Sequence, residues 1–347
     1  VEEQGAGDVT CTMVCFPLGN RHGLYHIHLM KKVLFLGGWL SAVVGAAEMT
    51  VALAPWPGNA KAAWTCTFDD AIRDQFTYAA PRLNEHRLPA TFFVMAWTAK
   101  STEEAEAKKP GSIGTITWEE MKQLIKEGHE IGNHSWTHAN FRQLPEERLD
   151  REIVEAQKRI GERVGVVPTT FCFPFNAITE PSLKRVKATH DAWRTNYRQF
   201  GGGMKAKKAS IWLDEEEGRS GWTVLMVHGL QNGYDALKDP RQFDLHLQEV
   251  ARRRDEGRLW PATFQDVSAY ITMRESAKVT VEKTGQRQFA VRLTSDLPEE
   301  KLIPLTLVIP QAPKTLSATA GGHPLPLVRK GNEAWVTCLP GALELRY

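Results

Sequence analysis

Cysteine is scarce in this chain, net charge is close to absent, and apolar stretches long enough to cross a bilayer are missing beyond residue 47. Five cysteines among 347 residues give little material for a disulfide framework. Past the first 47 residues the three that remain, Cys66, Cys172 and Cys338, are an odd number, so at most one bridge plus one free thiol is expected. Forty-three Lys and Arg offset 41 Asp and Glu for a net charge of +2, and nothing in that balance points to nucleic acid or an anionic surface as partner. The short basic clusters Lys108-Lys109, Lys205 to Lys208 and Arg252 to Arg254 read as solvated faces.

One apolar stretch stands near the start. Met30-Lys31-Lys32 is followed by V-L-F-L-G-G-W-L-S-A-V-V-G-A-A, with small residues at Ala46 and Ala47, the pattern of a secretion signal over residues 30–47. An uncleaved anchor is the alternative, although the run is short for a bilayer span. Residues 1–29 hold Cys11, Cys15, His22, His26 and His28 without the spacing of a metal finger. They are expected to be a disordered, non-native upstream extension. The exported product is thus expected in the periplasm or outside the cell, with no stable membrane span after cleavage.

From about residue 60 to 275 short β-type runs alternate with helical patterns, which predicts an α/β fold with a mainly parallel sheet. The runs are Ala63–Phe68, Ala90–Met95, His129–Gly132, Thr169–Phe173, Ala192–Asn196 and Thr223–Val227. Thr117 with Glu120 forms a capping box before Met121, Leu124 and Ile125, and Pro145 suits the first turn of a helix carrying Leu149, Ile153, Ala156 and Ile160. Ser101 to Gly114 and Gly201 to Gly203 lack a core pattern and read as surface loops. Beyond Ser276, alternating strands with Gly and Pro between them predict a small antiparallel β domain over 277–347. A structural appendage is the favoured reading of that domain, since no aromatic platform for sugar is legible in it.

The chemistry gathers after these runs. His134 and His138, four residues apart in H-E-I-G-N-H-S-W-T-H, stand downstream of Asp69-Asp70 in W-T-C-T-F-D-D. Two imidazoles and one carboxylate give a divalent cation three ligands and leave room for water, while the second carboxylate is free to act as base. Zinc suits the set, and cobalt or nickel would also be accepted. Pro174-Phe175-Asn176 and His228 follow two further runs, the placement of reactive groups at the mouth of a parallel barrel. Asp69 and Asp70 can face one ion only if the strand has ended there, because neighbours inside a strand point to opposite faces.

T-F-D-D, H-S-W-T-H and M-V-H-G, in this order, resemble the NodB-homology polysaccharide deacetylases, carbohydrate esterase family 4, over roughly residues 60–275. The resemblance implies a distorted, incomplete (β/α) barrel and metal-dependent deacetylation of an N-acetylated sugar. It makes Asp70, His134 and His138 the metal ligands, Asp69 the catalytic base and His228 the acid, and it places an oxyanion-binding backbone N–H at Phe175. An acetylated glycan is the implied partner. Two departures stand out. Where the family carries an arginine that pairs with the base, this chain has Cys172; either Asp69 has a higher pKa here or another cation, Arg194 or Arg73, supplies the charge, and Arg194 is favoured because it too follows a β-type run. The family's Asp-rich fourth motif is only loosely echoed by His190-Asp191-Ala192-Trp193. An O-acetyl esterase on a plant polysaccharide, a catalytically silent glycan-binding protein, favoured by the missing arginine alone, and an amidohydrolase acting on a small cyclic or linear amide are the alternative readings.

Overall fold

The computed structural model describes residues 49–97 and 114–347. The expected extension, the signal segment and the Ser101–Gly114 loop up to residue 113 lie outside the described residues. The first strand, β1 (Ala52–Leu53), precedes the main sheet. β2 (Ala62–Phe68) is buried along its whole length, as a parallel strand covered on both faces must be. It is followed by β3 (Ala90–Val94), β4 (Glu130–Asn133), β5 (Thr170–Cys172), β6 (Ala192–Arg194), β7 (Arg198–Gln199), β8 (Trp222–Val227) and β9 (Leu259–Pro261).

These strands pair in parallel in the order β6-β5-β4-β3-β2-β8-β7, with β9 alongside the start of β2. The sheet curls, but β6 and β7 are not paired with each other, which leaves an open, incomplete barrel. Every expected run is present as a strand, with bounds shifted by a residue or two. Two strands, β7 and β9, are too short to leave a pattern.

Helices α1 (Ala80–Glu85), α2 (Trp118–Lys126), α3 (Ala156–Val164), α4 (Glu180–Thr189), α5 (Ala206–Glu217), α6 (Arg241–Asp255) and α7 (Phe264–Ser276) complete the layer. The Thr117–Glu120 capping box starts α2 in both directions. At the head of α7, Thr263 accepts from the Asp266 N–H. Pro145 stands one step before a short 3-10 turn, not inside a first α turn. The chain reaches α3 through a π turn at Arg151–Glu155, and another π turn, Gln75–Ala79, leads into α1.

Strands β10 (Ala277–Gly285), β11 (Gln288–Ser295), β12 (Leu305–Ile309), β13 (Ser317–Ala320), β14 (His323–Leu325), β15 (Val328–Lys330), β16 (Glu333–Cys338) and β17 (Gly341–Arg346) form two antiparallel sheets, β1-β12-β16-β15 and β10-β11-β17-β13-β14. Phe289, Val291 and Leu293 alternate inward on β11, the pattern of a sheet with one wet face. This part differs from a separate 277–347 domain in two respects. β1 belongs to its sheet, and its core continues without a break through Trp56, Ala63, Tyr270 and Met273. Cys66, Cys172 and Cys338 are all free thiols.

Candidate functional site

β2 ends at Phe68, where the Asp69 N–H still donates to the Val227 carbonyl at 3.0 Å. The chain then turns through Asp70 at φ 71° and Ala71 at φ 51°. Left-handed backbone is unfavourable for residues other than glycine, and it persists where the surroundings impose it. Here it turns both carboxylates toward one mouth. The other site loops use the same device at Ser135, His138, Phe175 and Asn176, all with positive φ.

Asp70, His134 and His138 come together. Asp70 Oδ1 lies 3.4 Å from His134 Nε2 and 3.2 Å from His138 Nε2, yet this buried oxygen accepts no hydrogen bond. His134 Nδ1 lies 2.7 Å from the Cys172 carbonyl oxygen. A carbonyl can only accept, so Nδ1 carries the proton and Nε2 of the neutral ring turns its lone pair into the cluster. Burial would raise the Asp70 pKa, but contacts with the two imidazoles hold it well below the ordinary carboxylate range. Burial opposes charge on His134 as well; Cys172, Asp70 and Asp69 nevertheless raise its pKa. Two imidazole Nε2 atoms converging on a carboxylate oxygen that accepts no hydrogen bond suit a divalent cation of the zinc type.

Asp69 sits beside this cluster, 4% exposed, in a forked pair with Arg194. Nη1 of Arg194 donates to Oδ1 at 2.8 Å and Nη2 donates to Oδ2. Burial raises the Asp69 pKa, and the guanidinium overrides that and lowers it. Arg194 also donates to Thr67 Oγ1 and lies against the rings of Phe93 and Tyr197. Cys172, at the position of the family arginine, reaches Asp69 Oδ2 only through a 3.8 Å thiol contact. Arg194 is its register partner on the adjacent strand. Arg73 is elsewhere, paired with Glu120 at 2.8 Å. Asp191 pairs with Lys301 at 2.8 Å on the surface, and His190 bonds Asn133 in the interior, so the fourth-motif echo does not reach the mouth.

His228 follows β8 and brings Nε2 to 3.8 Å from Asp70 Oδ2. On its other side Asp235 Oδ2 lies 3.8 Å from Nδ1, and the Tyr234 ring packs against the imidazole. Phe175 is 64% exposed, with its ring 4.6 Å from that of His138. A cavity of about 340 Å³ opens here, lined by Asp70, His138, Ile72, Met95, Trp97 and Tyr234.

The loops are held from behind by residues that no sequence pattern reveals. Glu152, buried in its π turn, accepts from the Thr137 N–H at 2.8 Å and from Thr137 Oγ1 at 2.7 Å, and its carbonyl accepts from the Trp136 N–H. Asp74 and Gln75 bond the backbone after β8. Contacts of this kind are made to backbone, which leaves no spacing to find. Trp97 and Tyr234, 55% and 67% exposed at the cavity, carry no sequence signal either.

Residues 58–190 match the family model described as polysaccharide deacetylase. The peptidoglycan-N-acetylglucosamine deacetylase PgdA of Listeria monocytogenes is 25% identical over 186 residues, 52% of this chain and 35% of that protein. A peptidoglycan-N-acetylglucosamine deacetylase of Bacillus cereus is 30% identical over 125 residues, 36% of this chain and 40% of that one. A chitooligosaccharide deacetylase of Sinorhizobium fredii is 27% identical over 128 residues, 37% and 46% of the two chains. The chain thus spans less than half the length of these relatives. The match over residues 58–190, the motif order and the incomplete parallel barrel support kinship of this region with the NodB-homology polysaccharide deacetylases, carbohydrate esterase family 4.

Proposed function

We propose that this protein is an exported, metal-dependent hydrolase that removes acetyl groups from an N-acetylated amino sugar in a chitin-like or peptidoglycan-like glycan. The observation that carries this reading is the convergence of Asp70, His134 and His138 beside an ion-paired Asp69. The relatives named for N-acetylglucosamine and chitooligosaccharide substrates support the glycan class.

A divalent cation held by Asp70, His134 and His138 would polarise the acetyl carbonyl and acidify a water. Asp69 takes the proton from the attacking water. Arg194 keeps that carboxylate ionised and aimed while reducing its basicity, because the pair lowers its pKa. The backbone N–H of Phe175 donates to the oxygen that gains charge. His228 protonates the departing sugar nitrogen, which an amine requires more than an alkoxide does. With Arg194 against Asp69, the missing family arginine no longer favours a silent glycan-binding protein. The C-terminal sheets serve as a buttress, consistent with the core they share with α7.

The test is acetate release across chitin oligomers, peptidoglycan and acetylxylan, with and without a chelator. Release from the first two, lost on chelation, is expected. Release from acetylxylan alone would replace the reading with an O-acetyl esterase, and no release from any would overturn it.

A further inference from the structure

We propose that Asp74 and Gln75, which do not touch the reacting groups, are positioning residues that set the His228 loop against the Asp69–Asp70 turn; the kinetic part rests on the deacetylase reading. The last paired residues of β2 and β8 are Phe68 and Val227. Immediately beyond them, fully buried Gln75 bridges the two chains. Its Nε2 donates to the Asp69 carbonyl at 2.6 Å and the His228 carbonyl at 2.9 Å. Both hydrogens of a rigid amide are therefore used to fix the separation of two strand ends whose side chains face the same mouth.

Asp74 continues the clamp along the loop. Its Oδ2 accepts from the backbone N–H groups of Leu230, Gln231 and Asn232 at 2.9, 2.6 and 2.9 Å. Bonds to an ionised carboxylate are about twice as strong as neutral ones. The loop they hold is tight: a Cβ added at Gly229 would lie 1.9 Å from the Asn232 carbonyl oxygen. Gln75 also opens the π turn before α1, and such turns are frequent at functional sites. Loop stability alone would require Asp74. It would not require Gln75 to hold the backbone of Asp69 and His228 together.

Gln75→Leu keeps the volume and removes both donors; Asp74→Asn keeps the shape and removes the charge. On an N-acetylated chitooligosaccharide, Gln75→Leu is expected to lower kcat about 10²-fold, the effect of misplacing a reacting group by about an ångström, with KM within about twofold. In Asp74→Asn the amides of Leu230, Gln231 and Asn232 are expected to exchange hydrogen about tenfold faster. In Gln75→Leu the His228 imidazole NMR signals should shift while thermal unfolding stays cooperative. Unchanged kcat, or kcat lost only in proportion to the folded fraction, overturns the proposal. If the wild-type protein releases no acetate, the deacetylase reading is what fails. Exchange and the His228 signals then decide the clamp, and amides and imidazole signals that stay as in the wild type refute it.

Discussion

A buried carboxylate stays charged only beside a counter-charge, and here that charge comes from the strand next to the one the family uses. Cys172 and Arg194 are register partners on β5 and β6, so the guanidinium stands one strand aside from Cys172 and faces Asp69. Arg194 can be picked out from sequence because it ends a β-type run. That it grips Asp69 with both nitrogens cannot, since strand register is set by the whole sheet. Removing one member of a buried pair leaves the other uncompensated, so Arg194→Met should cost about 3–5 kcal/mol of stability in urea denaturation and most of the activity. Cys172→Arg in that background should restore part of both. Failure of any restoration would show that the register partner cannot reach Asp69. For His228→Ala, turnover of an N-acetyl substrate should fall at least about tenfold more than that of an O-acetyl ester, because the poorer leaving group depends on the proton. Equal losses would count against His228 as the acid.

At the scale of elements, the strands are legible because buried parallel strands are apolar on both faces. β7 and β9 are not, being two and three residues long. The π turns at Gln75–Ala79 and Arg151–Glu155 are hidden as well. One extra residue barely disturbs an apolar pattern, as Leu149, Ile153, Ala156 and Ile160 remain buried across the second. β4 shows how tightly the scaffold behind His134 and His138 is packed. A Cβ at Gly132 would lie 2.5 Å from the Phe93 ring and 2.9 Å from Thr170 Oγ1. Gly132→Ala should therefore lower stability by about 1–3 kcal/mol, measurable as a fall in Tm, and an unchanged Tm would show that Phe93 can yield.

Across the whole molecule, the α/β region and the C-terminal sheets share a continuous core through Trp56 and Tyr270. The texture change after Ser276 marks the start of the β strands but not that β1, far away in sequence, joins their sheet. No helix among the described residues is long and apolar enough to cross a membrane. Three histidines packed in different parts of the barrel, His129, His190 and His246, are each lowered by burial to about 4. A ring nitrogen of each accepts a hydrogen bond in its neutral form: His129 from the Ala90 N–H, His190 from Asn133 Nδ2 and His246 from Trp64 Nε1. The unfolded chain, whose histidines titrate near 6.5, then binds more protons than the folded one between about pH 6.5 and 4. Stability is held above that window and falls as pH drops through it, by up to about 3 kcal/mol for each ring. Urea midpoints measured at pH 7 and pH 5 check this, and equal midpoints would show that the three rings bind protons alike in the folded and unfolded chain.

Whether Asp70, His134 and His138 grip one cation beside an aspartate that is free to act as base is decided by calorimetric titration of metal-free protein with zinc. Wild type should bind one ion per chain. Asp70→Asn, His134→Gln and His138→Gln should each weaken that site by about tenfold or more, while Asp69→Asn should keep the ion and lose acetate release. Binding that survives in all three ligand variants, or that disappears with Asp69 alone, would show that the cation is held elsewhere.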